Sequence, residues 1–151
     1  MRKKLKKLDN ELLNSMLMEV SQESRFNESK NYIQHGNTSV YTHSVSVAIC
    51  TLKLSRMLPG KKNRRELVRA ALLHDYFLYD WHKEENRHQW HGFRHPEKAA
   101  KNASRDFKLS EKEQEIIRRH MFPLTPIPPN SIEGVLVCVA DKICSIKEIV
   151  S

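Results

Sequence analysis

Near the middle of the chain an apolar run, Ala70-Ala71-Leu72-Leu73, ends in His74-Asp75-Tyr76. An imidazole beside a carboxylate constrains the fold strongly, because neighbours on a helix point about 100° apart. They reach one common point only at a helix end or between packed helices. A metal ion is such a point: imidazole and carboxylate together suit a first-row transition ion, and two ligands do not saturate it. The competing reading is one hydrogen-bonded pair buried at a helix C-terminus. The balance shifts toward metal because further ligand types follow in order, His43 upstream and His95, His120 and Asp141 downstream, each at or near an expected helix.

The remainder of the chain reads as helical. Leu5, Leu8, Leu12, Met16 and Val20 recur at three- and four-residue steps and predict a first helix that caps the core. Gln22 to Ser39 is polar and closes on Gly36-Asn37-Thr38-Ser39, residues of turns and helix N-caps. A second helix runs from about Val40 to Leu58 and stops at Pro59-Gly60, with Val47, Cys50, Leu54 and Leu58 below His43 on one face. The run Arg64 to Tyr76 turns Leu67, Val68, Ala71, Leu72 and Asp75 inward. Tyr76 to Trp81 is aromatic enough to stack a base or sugar, or to close one end of the core, and His82 to Trp90 reads as an irregular flap.

Pro96 suits a first helical turn, so a helix from about Pro96 to Phe107 begins beside His95. That assigns the metal to His95 rather than to His91, which sits beside Gly92 and is free to contact a substrate phosphate or donate a proton. Ser110-Glu111-Lys112-Glu113 has the form of a capping box for the helix bearing Ile116, Ile117 and His120. Pro123, Pro126, Pro128 and Pro129 end that helix and predict a stiff, extended loop that walls a pocket. Asn130 and Glu133 cap a last helix, Val135 to Val150, in which Asp141 sits among Leu136, Val139, Ala140 and Ile143. A carboxylate in that company requires compensation, which a metal provides. Lys142 beside it reaches a phosphate or solvent.

The ordered set His43, His74-Asp75, His95, His120 and Asp141 resembles the HD-domain metal-dependent phosphohydrolases over roughly Tyr41 to Lys142. Tyr41-Thr42-His43-Ser44, Leu72-Leu73-His74-Asp75-Tyr76 and Ile116-Ile117-Arg118-Arg119-His120 are most similar to small single-domain bacterial HD proteins that cleave dinucleoside polyphosphates. Those relatives tend to carry a lysine or glycine-lysine step after the His-Asp pair, where this chain reads Tyr76-Phe77-Leu78-Tyr79-Asp80-Trp81. The resemblance implies an all-α bundle of about six helices around a metal cleft. It also implies one HD domain over 1–151, with an N-terminal helix and connecting segment (1–35) before the core (36–151).

The resemblance further implies one or two divalent transition-metal ions, Mn, Fe, Ni, Co or Zn. His43, His74, Asp75 and Asp141 would form a first site, and Asp75, bridging, would complete a second with His95 and His120. The implied reaction is in-line attack of a metal-activated hydroxide on a phosphoester or phosphoanhydride of a nucleotide, with His91, Lys142 or a metal-bound water protonating the leaving group. Two neighbouring readings share the ligand set: an HD-type di-iron oxygenase, and a non-catalytic nucleotide or nucleic-acid binder that keeps its metals structurally.

Composition narrows the partners. The chain has 151 residues, 39% hydrophobic and 29% charged, with a formal net charge of +8 that suits a small anionic, phosphate-bearing substrate. The basic residues are scattered apart from Arg2 to Lys7 and Lys61 to Arg65, so a solvated surface competes, and no motif supports nucleic acid. Cys50, Cys138 and Cys144 form no C-x-x-C pair, as in a reduced chain. The basic start at Met1 to Leu5 lacks the apolar run of a signal peptide, and no stretch suits a membrane span. The expectation is a cytoplasmic protein; its oligomeric state is left open.

Overall fold

The structure, a computed structural model, describes residues 1–76 and 91–150, with the backbone alone at Ser24 and over 91–95. Among the described residues there are seven α-helices: α1 (Arg2–Ser21), α2 (Ser24–Glu28), α3 (Val40–Met57), α4 (Arg64–Leu73), α5 (His91–Asp106), α6 (Glu111–Arg119) and α7 (Ile132–Val150). A short 3-10 turn, Ser29–Asn31, leads into a two-stranded hairpin of β1 (Ile33–His35) and β2 (Thr38–Ser39). The chain is all-α, and among the described residues no helix is long and apolar enough to cross a membrane.

The hub is α4. Leu67, Val68, Ala70, Ala71, Leu72 and Leu73 are all buried, so this helix has core on every side and packs against α1, α3, α6 and α7. Asn63 starts it by accepting the Glu66 N–H at 3.1 Å. Its partner α3 starts in the same way, with Ser39 accepting the Thr42 N–H at 3.1 Å. Of the expected stripe Val47 is fully buried, Cys50 and Leu54 pack partly buried against the core, and Leu58 is exposed; the buried face also carries Ser44, Ala48, Thr51, Leu52 and Ser55. Small side chains let α3 approach α4 and α7 closely, and the Thr51 hydroxyl is satisfied by the Val47 carbonyl at 2.7 Å.

Several expectations are corrected. In α1 the stripe is not straight: Leu5 and Leu8 are exposed, whereas Asp9, Leu13, Met16 and Val20 are buried. A four-residue step drifts about 40° around a helix, so the three such steps back from Val20 rotate Leu8 off the core. Asp9 is buried because Arg56 and Arg64 both pair with it. Helix α5 begins at His91, not near Pro96, which falls inside it and leaves the Gly92 carbonyl without its usual helical donor. The α7 cap is Ser131, whose hydroxyl accepts the Gly134 N–H at 3.0 Å, rather than Asn130; Glu133 instead accepts from the Asn63 N–H at 3.1 Å. The proline-rich segment is not extended at its start, since Leu124 N–H donates to Met121 at 2.8 Å and the chain coils through turns. The β1–β2 hairpin arises where only turns were expected, with Gly36 at φ +55 making its tip.

The capping box of α6 forms as its sequence predicts: Ser110 accepts the Glu113 N–H at 3.1 Å and Glu113 takes the Ser110 N–H at 3.0 Å. Glu113 is buried and also receives Arg69 of α4, through Nη2 at 2.7 Å, which ties α6 to the hub.

Candidate metal centre

His74 and His120 occupy equivalent places, each the C-cap of a helix, α4 and α6 respectively. The last carbonyls of a helix have no donor of their own. Here the ring supplies one: Nδ1–H of His74 donates to Ala71 and Nδ1–H of His120 to Ile117, both at 2.7 Å. That bond selects the tautomer and leaves each Nε2 as a lone pair turned away from its own helix. His43, in the first turns of α3, reaches the same state by another route, with Nδ1–H donating to both Glu148 oxygens at 2.8 Å. A carboxylate behind a ligating imidazole fixes its orientation and raises its basicity.

The Nε2 atoms converge. His43 Nε2 lies 3.2 Å from His74 Nε2 and 2.9 Å from Asp141 Oδ1, and His74 Nε2 lies 3.3 Å from the same Asp141 oxygen. Asp75 divides its carboxylate. Oδ2 stands 3.1 Å from His74 Nε2 and 3.4 Å from His43 Nε2, while Oδ1 stands 3.4 Å from His120 Nε2. Ligand atoms of His43, His74, Asp75 and Asp141 all lie within 4.8 Å of one another, and all four residues are buried. With the Nδ1 protons committed elsewhere, the Nε2 atoms and the carboxylate oxygens face each other at hydrogen-bond distance, an arrangement that positive charge between them balances, either protons on the rings or a shared metal ion. The donor set, two imidazoles and two carboxylates with a third imidazole beyond Asp75, fits a divalent transition ion.

The electrostatics agree. Burial disfavours a charged His43, but Asp141, Asp75 and Glu148 outweigh it and hold the ring well above its ordinary value. His74 is likewise pushed up to about 10 by Asp75 and Asp141 against its burial. Asp141, despite burial, is held far below the usual carboxylate range by His43 and His74. His120, fully buried and repelled by His74, is shifted down and favours the neutral, ligating form. The pocket thus demands positive charge between His43, His74 and the two carboxylates.

The structure brings His43, His74, Asp75, His120 and Asp141 together. His95 and His91 both lie in the first turn and a half of α5, and their side chains fall outside the described residues, as do the aromatic segment Phe77 to Trp81 and the flap from His82 to Trp90. Tyr76 is described: it is buried, and its hydroxyl donates to Asp106 at 2.8 Å, so it anchors the chain leaving α4. Lys142 places its ammonium on the carbonyls of His120, at 3.2 Å, and Cys138, at 3.4 Å, holding α7 against the end of α6.

Three neighbours were missed from the sequence. Glu148 orients His43 and lies two turns beyond Asp141 on the same face of α7, a spacing visible in the sequence. Gln34 of β1 donates from Nε2 to Asp75 Oδ2 at 3.0 Å. His35, half-buried, stands edge-on to His43 with ring centres 5.9 Å apart, and its pKa is lowered by burial and by His43. Ile33 to Ser39 around Gly36-Asn37 carries a hairpin signal that would have placed both on a strand.

Residues 40–146 match the family model of the HD domain. No curated protein and no solved structure matches the chain.

Proposed function

The chain belongs to the HD-domain family, a superfamily of metal-dependent hydrolases, and on that premise we propose that it is a phosphohydrolase cleaving a phosphoester or phosphoanhydride of a nucleotide-like substrate. The observation that carries the reading is the divided carboxylate of Asp75, with one oxygen toward His43 and His74 and the other toward His120. Such a carboxylate suits two adjacent cation positions, His43, His74, Asp75 and Asp141 holding one, and Asp75, His120 and His95 the other. Bound divalent ions would acidify a water and neutralise phosphate oxygens.

The chain's own residues supply the rest. Glu148, Ala71 and Ile117 take the Nδ1 protons of His43, His74 and His120, so none of these three rings need turn or change tautomer during turnover. Gln34 holds one oxygen of Asp75 and leaves the carboxylate little freedom to rotate. His91, at the head of α5, is assigned to the substrate phosphate or the leaving group. Lys142, engaged at two backbone carbonyls, would have to leave them to take either part. The net charge of +8 favours an anionic substrate.

The test is metal analysis of anaerobically purified protein, followed by phosphate release from a panel of nucleotides with Mn, Fe, Ni, Co and Mg. Metal near two per chain and phosphate release with at least one ion are expected. Dioxygen uptake with an organic substrate and no phosphate release would replace this reading with an oxygenase. Metal without either activity would leave a binding module.

A further inference from the structure

Helices α3 and α7 flank an open groove of about 390 Å³, a size that accommodates a small organic molecule. From α3 it is lined by Ile49, Cys50 and Lys53, with Ser46 one turn earlier, and from α7 by Cys144, Lys147 and Glu148. Each set follows i, i+3, i+4 spacing, so two complete helical faces meet across the groove. His43 pairs with Glu148, and Cys50 lies against Cys144. Numbers rise along α3 as they fall along α7, so the helices pass through the groove antiparallel.

That direction orders the lining. Ser46 and Lys147 stand toward one end, Lys53 toward the other, and Ile49, Cys50 and Cys144 lie between. Residues 46 and 53 are about 10 Å apart along the axis, at 1.5 Å per residue. Neither Lys53 nor Lys147 makes an ion pair or a side-chain hydrogen bond among the described residues. The floor between them is neutral: burial, together with neighbouring Cys50, pushes the Cys144 thiol up to about 11. Glu148 is acidic, but both its oxygens are taken by His43 at 2.8 Å, so its charge is directed to the imidazole.

We propose that this groove is a second ligand site, outside the metal cluster, for an elongated organic anion whose acidic ends meet Lys53 and Lys147 and whose apolar middle lies on Ile49, Cys50 and Cys144. Cations at both ends reward a dianion of matching length. The thiols and isoleucine reward hydrocarbon rather than a hydrated linker, since their burial is favourable and they offer weak hydrogen bonds at most.

Calorimetric titration of the metal-loaded full chain at low ionic strength, with succinate, adipate, suberate and sebacate alongside octanoate, tests this. Expected is an optimum at adipate or suberate, about tenfold tighter than succinate and than octanoate. Lys53→Ala and Lys147→Ala should each lower the optimal diacid to the level of octanoate while leaving metal content unchanged. The preference should survive chelation of the metal, because the groove uses none. Absence of diacid binding, affinity independent of length, or affinity unchanged in both lysine variants would overturn the proposal. Binding lost on chelation would also overturn it, placing the diacid at the metal centre and leaving the hydrolase reading untouched.

Discussion

Three histidines from three helices donate a proton from Nδ1 to a carbonyl or carboxylate and turn Nε2 toward Asp75 and Asp141. The acceptors behind the rings are therefore as much a part of the centre as the ligands. Glu148→Gln keeps the shape of the side chain but removes the charge behind His43, and it should weaken metal binding about 10–100-fold in a chelator competition. Unchanged affinity would reduce Glu148 to a packing role. Asp75 is the residue on which both cation positions depend. Asp75→Ala is expected to take the metal ratio from near two to near zero, whereas His120→Ala should remove about one ion per chain; an unchanged ratio in Asp75→Ala would end the two-position reading. His91 and His95 are separated by the same measurement. His91→Ala should keep its metal and lose about 10²–10⁴-fold in turnover, as for a general acid, while His95→Ala should lose metal. The reverse pattern would exchange their roles.

At the scale of elements, each ligand is delivered by a helix end or by a helix held at its end. Asp106, the last residue of α5, does this for the chain leaving α4: it accepts from Tyr76 at 2.8 Å and pairs with Arg25 of α2 at 2.8 Å. The hydrogen bond from Arg105, with those from Tyr76 and Arg25 nearby, holds its carboxyl below the ordinary range against the effect of burial. A depressed folded-state value means stability fully present above the unfolded value of about 3.9 and lost as pH falls through the folded one. Asp106→Asn should therefore cost about 1–2 kcal/mol at pH 7, and the difference from wild type should shrink below about pH 4. Urea unfolding of both proteins at pH 7 and pH 3 measures it; a difference that does not shrink would assign the cost to packing.

For the whole molecule the same cluster that suits a cation is a liability without one. Asp75 and Asp141, both buried, stand beside three buried rings, and α3, α4, α6 and α7 meet there. A ligand at 100 times its dissociation constant stabilises the folded chain by about 2.7 kcal/mol, which for a chain of this size raises the melting temperature by roughly 5–10 °C. Chelation should lower the melting point by that amount and readdition should restore it. The Asp75→Ala chain should show no such response. A wild-type melting point indifferent to chelator would mean that the ion does not bridge these helices.

What the sequence by itself determined is whatever depends on residues close in the chain. The helical periodicity of α3, α4 and α7, the capping box at Ser110 and the adjacency of His74 and Asp75 are local, while the ligand types that mark the HD domain are read from their order along the chain without any fixed spacing. Where a local pattern was ambiguous, packing decided: the leucines at the start of α1 were left to solvent, and the buried face of α3 took in Ser44, Ala48 and Thr51 beside Val47 and Leu52. The second layer of the centre was decided only in three dimensions. Gln34 precedes Asp75 by 41 positions and His43 precedes Glu148 by 105. No spacing rule joins residues so far apart; a hairpin laid against α7 and two antiparallel helices do. Charge balance in a buried space is a property of the groups that end up neighbours, and only the tertiary structure chooses them.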